Sequence, residues 1–187
     1  PTASDIDGTI YGYALVNGPS AGTVNIVGST GQFTFDPGTA FDGLAQGQSQ
    51  VVSFSYGVQD DDGAQSVPQT VSVTVNGAND APVIGSTSAR SGTVVESGHD
   101  DSGNTVGGPA SVTGAMVATD VDTGATKLWS VAGSTSDAYG SFSIDSTTGV
   151  WKYDLNNNLT ATQQLQEGQS VTQTYTVRVT DNASATA

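Results

Sequence analysis

Short oxygen-bearing side chains recur in this chain in a fixed pattern. Asp5 and Asp7 stand one residue apart, and so do Asp120 and Asp122. Asp60, Asp61 and Asp62 close one long Val/Ser/Tyr-rich segment, and Asp181 closes another. Asn79 and Asp80 lie between the two sets. A single Asp in such a place is ordinary turn chemistry, because its carboxylate accepts bonds from nearby backbone N–H groups. A matched set is harder to explain that way. Carboxylates gathered at one point repel unless a cation joins them. Ca2+ takes six to eight oxygens at about 2.3–2.6 Å, from carboxylates and backbone carbonyls, and Asp-x-Asp offers two from one short loop. Mg2+ demands tighter octahedral geometry and keeps its waters, so Ca2+ is the expected ion. The spacing does not fit an EF-hand, whose last ligand position needs a Glu.

Composition narrows the remaining chemistry. The 187 residues carry 4 Lys+Arg against 18 Asp+Glu, a formal net charge of −14. Of the 18 acids only Glu96 and Glu167 are Glu, so the acidity is nearly all Asp, the shorter and more turn-prone carboxylate. That charge argues against nucleic acid and anionic membrane as partners. With no Cys there is no disulfide, thiol nucleophile or zinc–thiolate site. One His, His99, excludes HExxH and His-rich metal sites. No apolar run approaches the roughly 18 residues of a membrane helix and no signal peptide opens the chain, so it is expected to start in the cytosol or to be an excised piece of a longer protein. The apolar fraction is low at 35%, but 24 Gly with abundant Ser, Thr and Val indicate an all-β chain rather than a disordered one.

The elements that must position the carboxylates repeat as well. ASDID (3–7) matches ATDVD (118–122), GQFTFD (31–36) matches GVWKYD (149–154), and GQS (47–49) matches GQS (168–170). FSYGVQD (54–60) matches YTVRVTD (175–181). Four blocks in one order, at a spacing that grows from 115 to 121 residues, mean parts of two copies of one module separated by small loop insertions. Segments such as SVTGAMVA, TKLWSVA, GVWKYD and SVTQTYTVRVT alternate at the strand period, with Gly, Asn, Asp and Ser between them. GSTG (28–31) and STTG (146–149) read as tight hairpin turns, and LTATQQLQ (159–166) as the one candidate for a single helical turn.

Short strands with such punctuation predict β-sandwiches, with a partial repeat over 1–78 and a second repeat over 79–187. The first copy has strands C (9–16), D (23–27), E (32–36), F (49–59) and G (67–76). The second has A (about 91–96), B (111–118), C (126–132), D (140–145), E (150–155) and F (170–180), and stops before G. Antiparallel strands reverse at each connection, so the B–C and F–G loops share one end with the start of strand A. Asp120, Asp122, Asp181, Asn79 and Asp80 therefore fall at one junction. Asp5, Asp7, Asp60, Asp61 and Asp62 form the matching set of the first copy.

A-x-D-x-D, F-x-I-D-x-x-T-G, an Asp closing a long strand and then N-D-A-P together resemble cadherin-like repeats. GVWKYDLNNN, LQEGQSVTQTYTVRVTD and NGANDAP are similar to the VCBS-type, cadherin-like repeats of large secreted RTX-type bacterial adhesins. The resemblance covers nearly the whole chain. It implies tandem Greek-key, immunoglobulin/cadherin-like sandwiches, incomplete at both ends, acting as an extracellular, Ca2+-rigidified extender at a bacterial cell surface. It implies ligation of Ca2+ by Asp120, Asp122, Asp181, Asn79 and Asp80. Gly77 stands where cadherins carry a linker Asp, and the Asp-Arg-Glu loop is not recognisable. Glu96 occupies the strand-A Glu position at the opposite end, where it could serve another junction with Glu167 or the acidic A–B loop GHDDSGN. The expected partners are neighbouring repeats, with possible strand exchange between copies to supply the strands each copy lacks.

Two other functions fit these residues less well. Trp129 and Trp151 could stack on a glycan, but both sit in alternating strands, and Trp151 aligns with the apolar Phe33, so core packing is the better reading. A carboxylate-pair hydrolase is not expected, because Asp-x-Asp on a loop suits a cation better than a pair spanning a sugar ring. His99 reads as a solvated loop residue, Lys152 and Arg178 as local strand partners. The sequons at Asn158 and Asn182 are short enough to arise by chance.

Overall fold

The computed structural model describes residues 1–99 and 102–187. Asp100 and Asp101 of the acidic A–B loop lie outside the described residues. The chain divides into two compact units, Pro1–Asn79 and Asp80–Ala187, one residue later than the boundary drawn from the repeats.

The first unit contains β1 (Ile10–Asn17), β2 (Thr23–Ile26), β3 (Phe33–Asp36), β4 (Ser49–Asp60) and β5 (Gln69–Asn76). They form two antiparallel sheets, β1-β4-β5 and β2-β3, which are C-F-G and D-E of an immunoglobulin-like arrangement. The alternation in β5 explains why it is a strand: Val71, Val73 and Val75 turn inward while the Thr and Ser between them are exposed. The sheets meet through Phe33 of β3, whose ring lies edge-on to Phe54 of β4 at 5.1 Å. Val52 and Phe54, both on β4, are 1% and 2% exposed, so this central strand carries the core.

The second unit contains β6 (Val83–Ile84), β7 (Gly98–His99), β8 (Thr105–Val106), β9 (Ser111–Ala115), β10 (Ala118–Thr119) and β11 (Lys127–Ala132). β12 (Gly140–Ile144), β13 (Val150–Leu155), the single turn α1 (Thr160–Gln163) and β14 (Thr176–Asp181) follow. β12-β13-β9 form D-E-B and β11-β14 form C-F, with short pairs β10-β6 and β7-β8. Trp129, Trp151, Val179 and Pro82 are among its buried apolar side chains.

The two copies agree in backbone detail. Tyr13 N donates to Gly28 O at 2.7 Å, and Trp129 N to Ser146 O at 2.8 Å. A Cβ on Gly22 would lie 2.7 Å from Asp36 O, and one on Gly140 would lie 2.2 Å from Asp154 O, so strand D can enter only as glycine in both units. β1 carries a β-bulge between Ile10 and Gly12, whereas β11 runs in regular register with β14.

Three strand assignments change. Strand A is not at 91–96. It begins as β6, and 85–95 continue beside strand B through isolated bonds from Gly85 N to Val117 O, Ala89 N to Ala115 O and Val95 N to Pro109 O. The ladder breaks because the Ser88 hydroxyl takes the place of a backbone partner, accepting from Val117 N at 2.9 Å and donating to Val117 O at 3.2 Å. Strand F of the second unit is 176–181 rather than 170–180. The chain also enters the G position: Val179 and Ala187 exchange both backbone bonds, at 3.0 and 3.1 Å.

Candidate metal centre

In the second unit the B–C loop folds on its own carboxylates. Asp120 Oδ1 accepts from Asp122 N at 3.1 Å, and Asp122 Oδ2 accepts from Asp80 N at 2.9 Å. The linker residue Asp80 and the Asp-x-Asp loop are thus brought together. Asp122 is only 6% exposed. Its Oδ1 and Asp120 Oδ2 are buried without any hydrogen-bond partner. A buried carboxylate oxygen left unsatisfied costs on the order of 1–3 kcal/mol, and more when charged, so two at one loop call for a compensating group. A cation has the matching charge and coordination chemistry.

Asp181 reaches the same end of the unit. It stands opposite Lys127 in the β11–β14 register, and Thr126 N donates to the neighbouring Asn182 Oδ1 at 2.9 Å. Asp181 is 7% exposed, and its Oδ1 accepts from Ala183 N and Ala185 N, both at 2.8 Å. That oxygen therefore builds the F–G turn. Among the described residues, no three acidic or imidazole groups are placed tightly enough to enclose an ion by themselves. A bound ion would need backbone carbonyls or water beside the Asp120–Asp122 pair.

The first unit repeats the construction more openly. Asp5 Oδ1 accepts from Asp7 N at 3.4 Å, and Asp60 Oδ1 accepts from Ala64 N at 2.8 Å within the F–G turn. Asp7 and Asp62 are exposed. Asp61 is the residue that ties the loops: its Oδ1 accepts from Thr9 N at 2.9 Å, and its own N donates to Thr9 O at 3.1 Å. The Thr9 amide holds the Asp61 carboxyl below its usual range. A Cβ built on Gly8 would lie 2.7 Å from Asp61 Oδ1 and 2.9 Å from Asp5 Oδ2, so the B–C and F–G carboxylates converge over a glycine that leaves them space.

The brace from strand C to the F–G loop is thus Asp61 in one copy and Asn182 in the other. Pattern reading centred on the acids at the ends of strand F and gave the residue after them no separate role. Glu96 does not join the other candidates. It is half-buried near α1, where its Oε1 accepts from Gln163 Nε2 at 3.5 Å. Asn79 is the half-buried last residue of the first unit.

A second carboxylate cluster was hidden in what reads as an ordinary hairpin. Asp137 Oδ1 accepts from Tyr139 N at 2.6 Å and Gly140 N at 2.8 Å. The Tyr153 hydroxyl lies 3.2 Å from both carboxylate oxygens, and the Tyr175 hydroxyl donates to Oδ2. Burial alone would raise the Asp137 carboxyl. The Tyr175 hydroxyl, the two amides and Tyr153 outweigh it and hold the group below its usual value. Desolvation and the Asp137 charge push the Tyr153 hydroxyl up to about 12. The cluster pins Tyr175, whose ring stacks on Phe142 at 4.6 Å, to the facing sheet.

Trp129 and Trp151 are each 6% exposed, and Trp151 Nε1 donates to Ala89 O at 2.7 Å, so both rings belong to the core and offer no stacking platform. Lys152 pairs with Asp154 at 2.6 Å on the surface.

Residues 1–74 match the family of bacterial Ig domains. With the C-F-G and D-E sheets already in hand, the architecture is settled. These are immunoglobulin-like β-sandwich repeats. Among solved structures the chain is similar to Drosophila N-cadherin EC1–4, at 14% identity and a TM-score of 0.29, over 98% of this chain and 40% of that one. The chain thus spans well under half the length of that cadherin structure, and a similarity of this size carries no functional weight. No curated protein matches the chain. Among the described residues, no helix is long and apolar enough to cross a membrane.

Proposed function

We propose that the chain is a Ca2+-binding, Ca2+-stiffened extender of an extracellular bacterial adhesin of the VCBS-type, RTX class. The observation that carries this reading is the pair of buried, unpartnered oxygens on Asp120 and Asp122, beside the linker amide of Asp80. Oxygen-only ligands, a buried unpaired charge and the absence of Cys suit a hard divalent cation. Asp120 and Asp122 are the primary ligands, with Asp80 bonded to the same loop and Asp181 at the same end of the unit. Asp5 and Asp61 form the weaker, more open counterpart in the first unit. The role is structural: an ion that neutralises these loops fixes the chain where it enters a repeat, and tandem Ig-like repeats then hold an adhesive region away from the cell.

Calorimetry against free Ca2+ tests this. A ligand that binds only the folded state stabilises it by about 2.7 kcal/mol at 100 times its Kd. Ca2+ should raise the melting temperature of the second unit and lengthen the particle in solution scattering, and chelation should reverse both. Asp122→Asn should abolish most of the response, while equal ionic strength from NaCl should not reproduce it. A melting curve unchanged by Ca2+ and by chelator would sink the proposal.

A further inference from the structure

The dipeptide Asn-Gly occurs twice in the chain, at 17–18 and at 76–77. Both asparagines are the last residue of a strand, β1 and β5, and both are exposed. Both also stand opposite a serine of β4, Asn17↔Ser55 and Asn76↔Ser49. Asn-Gly is the pair in which a backbone most readily attacks its own side chain. The glycine amide nitrogen adds to the asparagine Cγ, and without a Cβ on the glycine nothing hinders the approach. The approach needs that amide free of a partner and the peptide free to turn about the asparagine ψ.

The two sites differ in these respects. Gly77 N donates to Gln48 O at 2.9 Å. A Cβ on Gly77 would lie 2.2 Å from Leu44 O and 2.4 Å from Ala45 O, so the residue is wedged against the loop before β4. Turning Gly77 N toward the Asn76 side chain would break that bond and disturb that packing. At the other site Gly18 N makes no hydrogen bond among the described residues. Gly18 is exposed, and a Cβ there would meet nothing closer than Leu15 Cδ2 at 4.0 Å. The β1–β4 register is already irregular between Leu15 and Asn17. The Asn17 side chain has one tether, from Nδ2 to Ser55 Oγ at 2.9 Å, a neutral bond that exchanges readily with water.

We propose that Asn17 is a site of spontaneous deamidation in the folded protein, and that the fold protects Asn76 from the same reaction. Gly18 N loses its proton and bonds to Asn17 Cγ, the Cγ–Nδ2 bond breaks, and the nitrogen leaves as ammonia. Water then opens the succinimide at either carbonyl, giving aspartate or isoaspartate. The net change is one water taken up and one ammonia released, with no oxidant or cofactor. The product sets a carboxylate opposite Ser55 where an amide donor stood, and the isoaspartyl form adds a methylene to the backbone at the last β1–β4 pair.

The test incubates the whole chain at mildly alkaline pH in water enriched in heavy oxygen, then locates the label by digestion and mass spectrometry. In the folded chain residue 17 should convert about tenfold or more faster than residue 76, as expected when one of two like sites must wait for local opening. In guanidinium chloride the two should convert at similar rates, because the distinction belongs to the fold. Gly18→Ala should slow conversion at Asn17 several-fold without lowering the melting temperature, since the space there accepts a methyl group. Equal conversion at both positions in the folded chain overturns the proposal, as does conversion of neither where the unfolded chain converts both. A difference that survives in guanidinium chloride, or a rate at Asn17 indifferent to Gly18→Ala, also overturns it.

Discussion

β4 and β14 start from matched sequences and end as different strands. FSYGVQD and YTVRVTD share pattern and position, yet β4 spans 12 residues and β14 spans 6. β4 has a neighbour along its whole length, β5 beside 49–56 and β1 beside 55–60. β14 pairs with β11 over 176–181, and among the described residues its other edge is engaged around Val179–Asp181. Strand length here follows the partners available, because a β-strand has no internal hydrogen bonds to hold it. The interiors differ as well. Phe35 and Phe54 occupy in the first unit the places taken by Tyr153 and Tyr175 in the second, and Pro19 stands where Asp137 does. In the first copy both places hold rings without hydroxyls, so no polar group has to be satisfied there. The other uses an aspartate to gather two hydroxyls, which holds Tyr175 in place where the strand does not.

The comparison breaks most readily at the cores. Phe54→Ala should cost the first unit about 3–5 kcal/mol, the usual range for deleting a buried ring. Both tryptophans lie in the second unit, so denaturation followed by tryptophan fluorescence should keep its midpoint while circular dichroism shows an earlier transition. If the fluorescence midpoint moves equally, the two cores are not packed separately.

Next comes the aspartate cluster. Asp137→Ala should destabilise the second unit by about 1–3 kcal/mol, because both tyrosine hydroxyls lose their acceptor. Adding Tyr153→Phe and Tyr175→Phe to it should restore most of that loss, since the triple variant imitates the first unit. A triple variant no better than Asp137→Ala would show that the copies are not interchangeable here. The pH dependence has a definite sign. The Asp137 carboxyl is held below its ordinary 3.8, so its contribution is present above that value and lost as pH falls through the depressed folded value. Acid unfolding of the second unit should therefore lose part of its pH dependence in Asp137→Ala, and acid melts of the two proteins measure this directly.

The smallest difference lies in the F–G turns. Gly63 and Ser184 occupy equivalent left-handed positions, with φ of 89° and 75°. A non-glycine residue held there costs about 1 kcal/mol or slightly more. Ser184→Gly should raise the stability of the second unit by about that amount, and Gly63→Ser should lower that of the first. Thermal melts showing no change in either direction would remove the turn from the account.

Much of this was legible in sequence because it is local or periodic. The strand cores of C, D, E and G, the single turn at 160–163 and the pairing of Asp5 with Asp7 and of Asp120 with Asp122 follow from alternation and Asx chemistry. Strand A was misplaced because the Ser88 hydroxyl replaces a backbone partner, which no periodicity records. The cluster at Asp137 was missed because its two hydroxyls come from strand E and from the residue just before strand F, 16 and 38 residues away. The braces made by Asp61 and Asn182 were missed for a related reason, since each reaches strand C across more than 50 residues.

By itself the sequence determined an all-β chain, two copies of one module and carboxylates at the ends of matched strands. Side-chain alternation and turn residues are properties of neighbours along the chain, so they can be read one residue at a time. Only the tertiary structure decided which carboxylates turn inward and lose their partners, which merely tie a turn, and where each strand stops. Those outcomes depend on what lies across the sandwich, and burial and hydrogen-bond satisfaction have no meaning until the second sheet is in place.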